Sequence, residues 1–500
     1  MRSPTFFNND DAGSAFLLQG ESLLKTSRMN RAFAAARLLA LAATLAAGGC
    51  ASAEEAAGDW NGMLGGQLHV IVRVTKDAAG HYGANLESPD QGSFVLPADQ
   101  VVADIDHFSF RIPKIGGSYA GTWSAGKQAW IGTWSQGMSM PLVLSRMTGP
   151  ASALAPAKRP QEEAVAAGPR PYRREEVRFA SSAPGVMLAG TLSVPEGAGP
   201  FPAVVLIGGS GPGTRDEEVF GHKLFLVLAD ALNRRGIAVL RYDKRGVGES
   251  TGDFATANLA DFAADAESAL VFLESRPGIA PDRIGLAGHS EGGVLAPMIA
   301  VRNPSARFVV LMAAPGMRLG RLLRLQTVKI AQASGVSDAE ISRKTAFFDK
   351  LYADLQGTRS DDQALAIVKA DIAQAVADQL VPAANADAFV RQVVSPWARQ
   401  LYGYDPIPTL RALKVPALFL IGSLDLYVPP EENLGPIRAA LQDNPQATIV
   451  ELPNLNHMFQ TAKLGTPAEF GDIEETIAPT ALKTIADWVA AQGSAARSGG

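Results

Sequence analysis

The chain of 500 residues is 47% hydrophobic and 19% charged, with a formal net charge of −5 and one cysteine. This is the make-up of a globular protein with enough apolar mass for two or more domains, and it excludes a disordered or fibrous polymer. No block of basic residues invites nucleic acid, and a lone Cys50 excludes an internal disulfide and a thiolate metal cluster.

From Met29 the sequence reads as an export signal: Arg31 and Arg37, then the apolar run LLALAATLAAGG, then Ala51 and Ala53 in an A-x-A cleavage pattern. Residues 1–28 include Asp10, Asp11 and Glu21, which the start of such a signal rarely carries. Residues 1–53 are therefore expected to be an extension ahead of a true start at Met29, followed by a signal peptide ending at Ala53. The run is too short and alanine-rich to span a bilayer, which predicts a periplasmic or extracellular protein. Cys50 ends the run in a loose lipobox, so a lipid anchor there, on an outer-membrane lipoprotein, is the variant of this expectation.

Residues 58–147 carry short alternating runs such as LHVIVRV, HFSFRI and PLVLSR between Gly, Asp and Pro turns. The pattern predicts a small all-β domain, barrel-like, with its tryptophans packed inside. Residues 148–172, rich in Pro, Ala and charge without a hydrophobic period, read as an extended linker. Over residues 173–493 strands alternate with amphipathic helices. After an antiparallel start (EEVRF, LAGTLSVP), buried runs such as AVVLIGG, IAVLRYD, RIGLAGHS and FVVLMAAP predict an α/β fold with a doubly wound, mostly parallel sheet. Residues from about 317 to 400 interrupt that rhythm with helical spacing alone, and are expected to form a cap over the carboxyl ends of the strands.

Within this frame, strand RIGLAG runs into Gly288-His289-Ser290-Glu291-Gly292, and a helix follows. A G-x-S-x-G turn between strand and helix strains the serine backbone and exposes its hydroxyl, which makes Ser290 the candidate nucleophile. A serine needs a base oriented by a third group. The one histidine after Ser290 is His457, and Asp425 sits between them at the end of the run ALFLIGS. An oxyanion would need two N–H donors: the amide of Glu291, next to the nucleophile, and that of Ser210, in the glycine-rich loop after AVVLI. That loop lacks the G-K-[ST] of a phosphate cradle. The side chain of Glu291 should point away from the oxyanion, into a salt bridge with a neighbouring Arg or Lys.

GGSGPGTRD, YDKRGVGES, GHSEGG, SPWARQLYGYDP, GSLDLYVPP and NLNHMFQ together resemble the α/β-hydrolase superfamily, in particular its exported bacterial esterase-like branch, from about Gly58 to Gln492. The resemblance implies a serine esterase acting on small-molecule esters, with Asp243 and Arg245 in a structural turn beside the site and no metal or organic cofactor. Relatives typically read His-Gly where this chain has Gly208 and Gly209, so the oxyanion loop must be anchored by other residues. The alternatives are an aminopeptidase of the same fold, with cap carboxylates such as Asp349, Asp354, Asp361 or Asp362 facing the serine, and a non-enzymatic envelope binding protein.

Overall fold

A computed structural model describes residues 56–64, 68–88, 95–136, 138–147, 158–356, 360–378, 380–381 and 386–495. The expected signal segment, its cleavage after Ala53 and Cys50 all lie outside these residues.

Nine antiparallel strands form the first domain: β1 (Gly58–Leu64), β2 (Leu68–Lys76), β3 (Tyr82–Glu87), β4 (Val95–Pro97), β5 (Asp99–Ala103), β6 (His107–Ile112), β7 (Gly117–Ser124), β8 (Ala129–Gln136) and β9 (Met138–Arg146). They are ordered β4-β3-β2-β1-β9-β8-β7-β6-β5. The two edge strands are consecutive in the chain. Only Ala98 separates them, and its N–H donates to Ala84 O, so one bent segment pairs with β3 at one end and β6 at the other and curls the sheet into a barrel. Period-two alternation sends Trp60, Val72, Phe108, Phe110, Tyr119, Trp130 and Trp134 inward, all essentially inaccessible. Trp60, Trp123 and Trp130 meet edge to face at centroid distances of 5.2–6.0 Å, a geometry that adds to their burial. These rings are core.

The segment read as an extended linker folds in part. Helix α1 (Pro160–Ala167) starts with Pro160 in its first turn and Glu162 and Glu163 beside it. Proline gives up no intrahelical bond there, and the carboxylates suit the positive end of the helix. Composition hides these start signals because the helix is short and polar.

The second sheet contains β10 (Tyr172–Ala180), β11 (Met187–Pro195) and β12 (Phe201–Ile207). The small hairpin β13 (Glu218–Val219) and β14 (His222–Lys223) comes next, then α2 (Leu224–Asn233), β15 (Ala238–Tyr242), α3 (Leu259–Glu274), β16 (Ile279–His289), α4 (Gly292–Ala300) and β17 (Val309–Met312). Cap helices α5 (Leu319–Ala333), α6 (Asp338–Gln356), α7 (Asp361–Ala377), α8 (Ala386–Val393) and α9 (Pro396–Gly403) follow. After α10 (Ile407–Ala412) the sheet resumes with β18 (Ala417–Gly422), α11 (Pro430–Leu441) and β19 (Ala447–Leu452), and the described residues close with α12 (Pro467–Phe470) and α13 (Pro479–Ala495). Strand order is β10-β11-β15-β12-β16-β17-β18-β19. The first two pairings are antiparallel and the rest parallel. The parallel strands are apolar on both faces because helices cover both. Their carboxyl ends point to one edge, where the loops after β12, β16, β18 and β19 converge under the cap.

Candidate active site

Ser290 follows β16 directly, with φ at +53°, a left-handed conformation that costs an L-residue about 1–3 kcal/mol and persists only where the surroundings enforce it. Here they do. The Ser290 N–H is held by Met312 O at 2.8 Å. A Cβ on Gly288 would lie 2.0 Å from Gly292 O, and one on Gly292 would lie 2.0 Å from Ile207 O. Two glycines thus let β16, α4 and β12 close on one another and lift the serine out at their meeting point. Pro297 falls within α4, which ends three residues later.

Asp425 and His457 come from the loops after β18 and β19. Asp425 Oδ2 accepts from His457 Nδ1 at 2.9 Å, and its Oδ1 accepts the Tyr427 and Val428 N–H groups, both at 2.8 Å. The residue is 1% exposed, and both carboxylate oxygens are engaged, one by the imidazole and the other by its own loop. Tyr427 stacks on the His457 ring at 4.8 Å and 22°. Ser290 and His457 line the same cavity; the structure brings Asp425 and His457 into direct contact and places the serine across the cavity wall without a bond to the imidazole.

In the glycine-rich loop after β12, Gly209 abuts Ser290: a Cβ there would lie 3.3 Å from Ser290 Cβ. Its N–H donates to Glu217 Oε1 at 2.6 Å, and its carbonyl accepts from Lys244 Nζ. These two contacts anchor the loop on either side of Gly209, and the next amide along it is that of Ser210. Among the described residues neither the Ser210 nor the Glu291 N–H is engaged within the chain.

Beneath the serine lies a second buried ion pair. His289 Nδ1 is 2.9 Å from Glu217 Oε1 and its Nε2 is 3.0 Å from His457 O. Both neighbours are acceptors, which calls for the doubly protonated ring. Burial opposes that charge, yet the Glu217 carboxylate and the His457 carbonyl outweigh it and raise the His289 pKa. Glu217 thereby joins the Gly209 loop, the Ser290 turn and, through His289, the loop carrying His457. Sequence reasoning missed Glu217 and His289, and Trp397 of α9 as well.

Glu291 is almost fully buried. Its Oε1 meets Lys244 Nζ at 3.1 Å; its Oε2 accepts from Trp397 Nε1 at 2.6 Å and from Ser210 Oγ at 3.4 Å. The carboxylate is neutralised by a lysine and tied to the cap. Asp243 and Arg245 are held apart from it, Asp243 by Arg215 at 2.7 Å and Arg245 by Asp265 at 2.6 Å.

A family model described as "Serine aminopeptidase, S33" matches residues 222–461, which include Ser290, Asp425 and His457. Esterase EstD of Thermotoga maritima is 27% identical over 306 residues, 60% of this chain and 65% of its own. The chain has the α/β-hydrolase fold. It spans just under two thirds of that esterase's length. Solved structures with some likeness to it include an esterase of Pyrococcus furiosus, 14% identical over 64% of this chain and 92% of the other with a TM-score of 0.40. Another is a 2,6-dihydroxy-pseudo-oxynicotine hydrolase, 18% identical over 67% and 72% with a TM-score of 0.39.

The fold encloses a cavity of about 240 Å³ over Ser290. Its walls are mainly apolar: Leu319, Leu322 and Leu323 from cap helix α5, Phe220 from the β13–β14 turn, Phe470 from α12, and Tyr427. The cap aspartates do not reach it. Asp349 pairs with Arg324, Asp354 with Lys350, and Asp361 with Arg399, and none of these nor Asp362 lines the cavity.

Proposed function

We propose that the protein is a serine hydrolase of carboxylic esters working through an acyl-enzyme. Ser290 Oγ attacks the ester carbonyl carbon while its proton passes to His457 Nε2, and Asp425 holds the imidazole in the tautomer that can accept it. The carbonyl oxygen gains the negative charge and is met by the Ser210 and Glu291 N–H groups. Collapse breaks the bond to the alcohol oxygen, which leaves with the proton from His457. Water then repeats the sequence on the acyl-serine and releases the acid. Two amide donors, a strained serine and a carboxylate-held histidine around one cavity are what carry this reading.

The nature of the cavity favours an ester with an apolar group over a peptide with a free amino terminus. An aminopeptidase needs an unpaired carboxylate to fix the substrate ammonium. The carboxylates at this cavity, Glu217 and Glu291, are already matched by His289 and by Lys244. Reaction of the full chain with a fluorophosphonate should label Ser290, and turnover on a p-nitrophenyl ester should exceed that on an aminoacyl-anilide. Ser290→Ala should lose on the order of 10⁴-fold or more in kcat with the fold intact. An unlabelled Ser290, or anilide turnover above ester turnover, overturns the reading. Export of a mature chain that begins at Glu54 belongs to the same proposal, and N-terminal sequencing of the protein from its host would test it.

A further inference from the structure

The turn joining β13 and β14 consists of Phe220 and Gly221, both with positive φ, +53° and +74°. That is the pattern of a type I′ hairpin turn, whose first position suits Asn, Asp or Gly and strains a bulky aromatic. Phe220 nonetheless occupies it, lines the cavity over Ser290 and meets Phe470 edge to face at 5.3 Å. Phe470 in turn packs on Tyr427, the ring stacked on His457.

Three polar side chains at the start of α1 hold this arrangement from outside. The Arg159 guanidinium donates to Phe220 O at 3.0 Å and Gly221 O at 3.3 Å on the turn, and to Gly471 O at 2.8 Å and Ile473 O at 3.3 Å beyond α12. Glu162 Oε1 accepts from Lys223 N at 2.8 Å and from Thr476 Oγ1 at 2.9 Å, again one contact on each loop. Gln161 closes on Thr476 N and Ile477 N through its oxygen and on Ile477 O through its nitrogen. A planar guanidinium can serve carbonyls of two loops at once, as a lysine ammonium cannot with the same directionality.

We propose that Arg159, Gln161 and Glu162 are specificity-setting positioning residues, which clip the strained Phe220 turn to the segment after Phe470 and so fix the cavity wall that decides which apolar group the site accepts. The proposal rests on the ester-hydrolase reading. The clip lies in the stretch that joins the barrel to the catalytic domain, so the wall is set by residues that touch neither substrate nor the reacting atoms. A loosened wall weakens binding of a group that fills the cavity and leaves the chemistry at the serine in place.

The test is the full chain assayed on p-nitrophenyl esters of increasing acyl length. In Arg159→Ala the KM for the best wild-type ester should rise by about tenfold, the effect of losing the net worth of one or two charged hydrogen bonds on wall position. The kcat on the acetyl ester should stay within about twofold. Arg159→Lys should not restore the KM, whereas Glu162→Gln, whose amide oxygen still accepts from both loops, should stay close to wild type. Phe220→Asn, which suits the turn and removes the ring, should shift the same chain-length ratio and combine less than additively with Arg159→Ala. It also serves if Arg159→Ala does not fold. A folded Arg159→Ala with the wild-type chain-length ratio, an equal loss of kcat on every ester, or full additivity with Phe220→Asn would each overturn the proposal. Failure of the wild-type chain to cleave any ester or to be labelled at Ser290 would instead overturn the functional reading on which it rests.

Discussion

Removal of the Glu217 carboxylate should slow the reaction without touching the substrate. In Glu217→Ala the Gly209 N–H loses its 2.6 Å acceptor and His289 loses its 2.9 Å counter-ion, both inside the protein. Breaking one partner of a buried charge pair costs about 3–5 kcal/mol of stability. A donor displaced from the oxyanion costs on the order of 10²-fold in kcat, so the Ser210 amide, one residue from the released Gly209, should lose up to that much. Glu217→Gln keeps an acceptor for Gly209 and should lose about 1–3 kcal/mol. The sign of the pH effect follows from His289. Its folded pKa is raised, so its stabilising contribution is complete below the ordinary histidine range and is lost as pH rises through the raised value. In Glu217→Gln, with the charge that raises it gone, that loss should be smaller and complete at lower pH. Urea midpoints from pH 5 to 9, with kcat and KM on a short ester, measure all three effects. A folded Glu217→Ala with wild-type kcat would refute the argument that this carboxylate holds the oxyanion loop.

Asp425→Asn should keep the fold and reduce kcat by roughly 10⁴-fold by fixing the wrong imidazole tautomer, as triad acids do; steady-state kinetics and circular dichroism check both halves. Glu291→Gln should lower the unfolding free energy by about 1–3 kcal/mol, because the Lys244 ammonium is left without a counter-ion, while the acetyl-ester kcat falls far less than in Ser290→Ala. Gly288→Ala should fail to give soluble native protein, since its methyl would meet Gly292 O at 2.0 Å; a native-like melting curve would contradict that steric argument. Burial, with Arg159 close by, pushes the His222 pKa from 6.5 down to about 4. The unfolded chain takes up the proton first, so stability should be full above the unfolded value and fall by roughly 3 kcal/mol as pH drops to 4. His222→Gln should flatten that slope in urea titrations.

The parts of this molecule that were legible in the sequence are those written in local pattern. Runs of Val, Ile and Leu announce strands buried on both faces, and a serine between glycines at the end of one announces a strained turn. The order Ser290, Asp425, His457 then follows from where those strands end. Glu217 was not legible: it sits in TRDEEVFGHK, where adjacent acidic residues read as solvated surface, and its partner His289 is 72 residues on. Burial turns that carboxylate into an anchor, and burial here is set by how β12 and β16 adjoin. Trp397 lay in a stretch already singled out, SPWARQLYGYDP, yet its Nε1 finds Glu291 only through the fold of the cap. The α1 clip did leave a signal, Pro160 followed by two glutamates, which a reading by composition alone passes over.

The aromatic packing of the barrel bears on how this protein can be watched. Four of its six tryptophans, Trp60, Trp123, Trp130 and Trp134, belong to the β domain, and only Trp397 and Trp488 to the catalytic part. Intrinsic emission will be dominated by the domain that does not carry Ser290. A fluorescence melt and an activity-loss curve therefore follow different bodies of one chain, and a gap between their midpoints is a direct optical measure of whether the two unfold together. With the four barrel tryptophans and Trp488 replaced by phenylalanine, Trp397, hydrogen-bonded to Glu291, would become a reporter of cap seating over the serine.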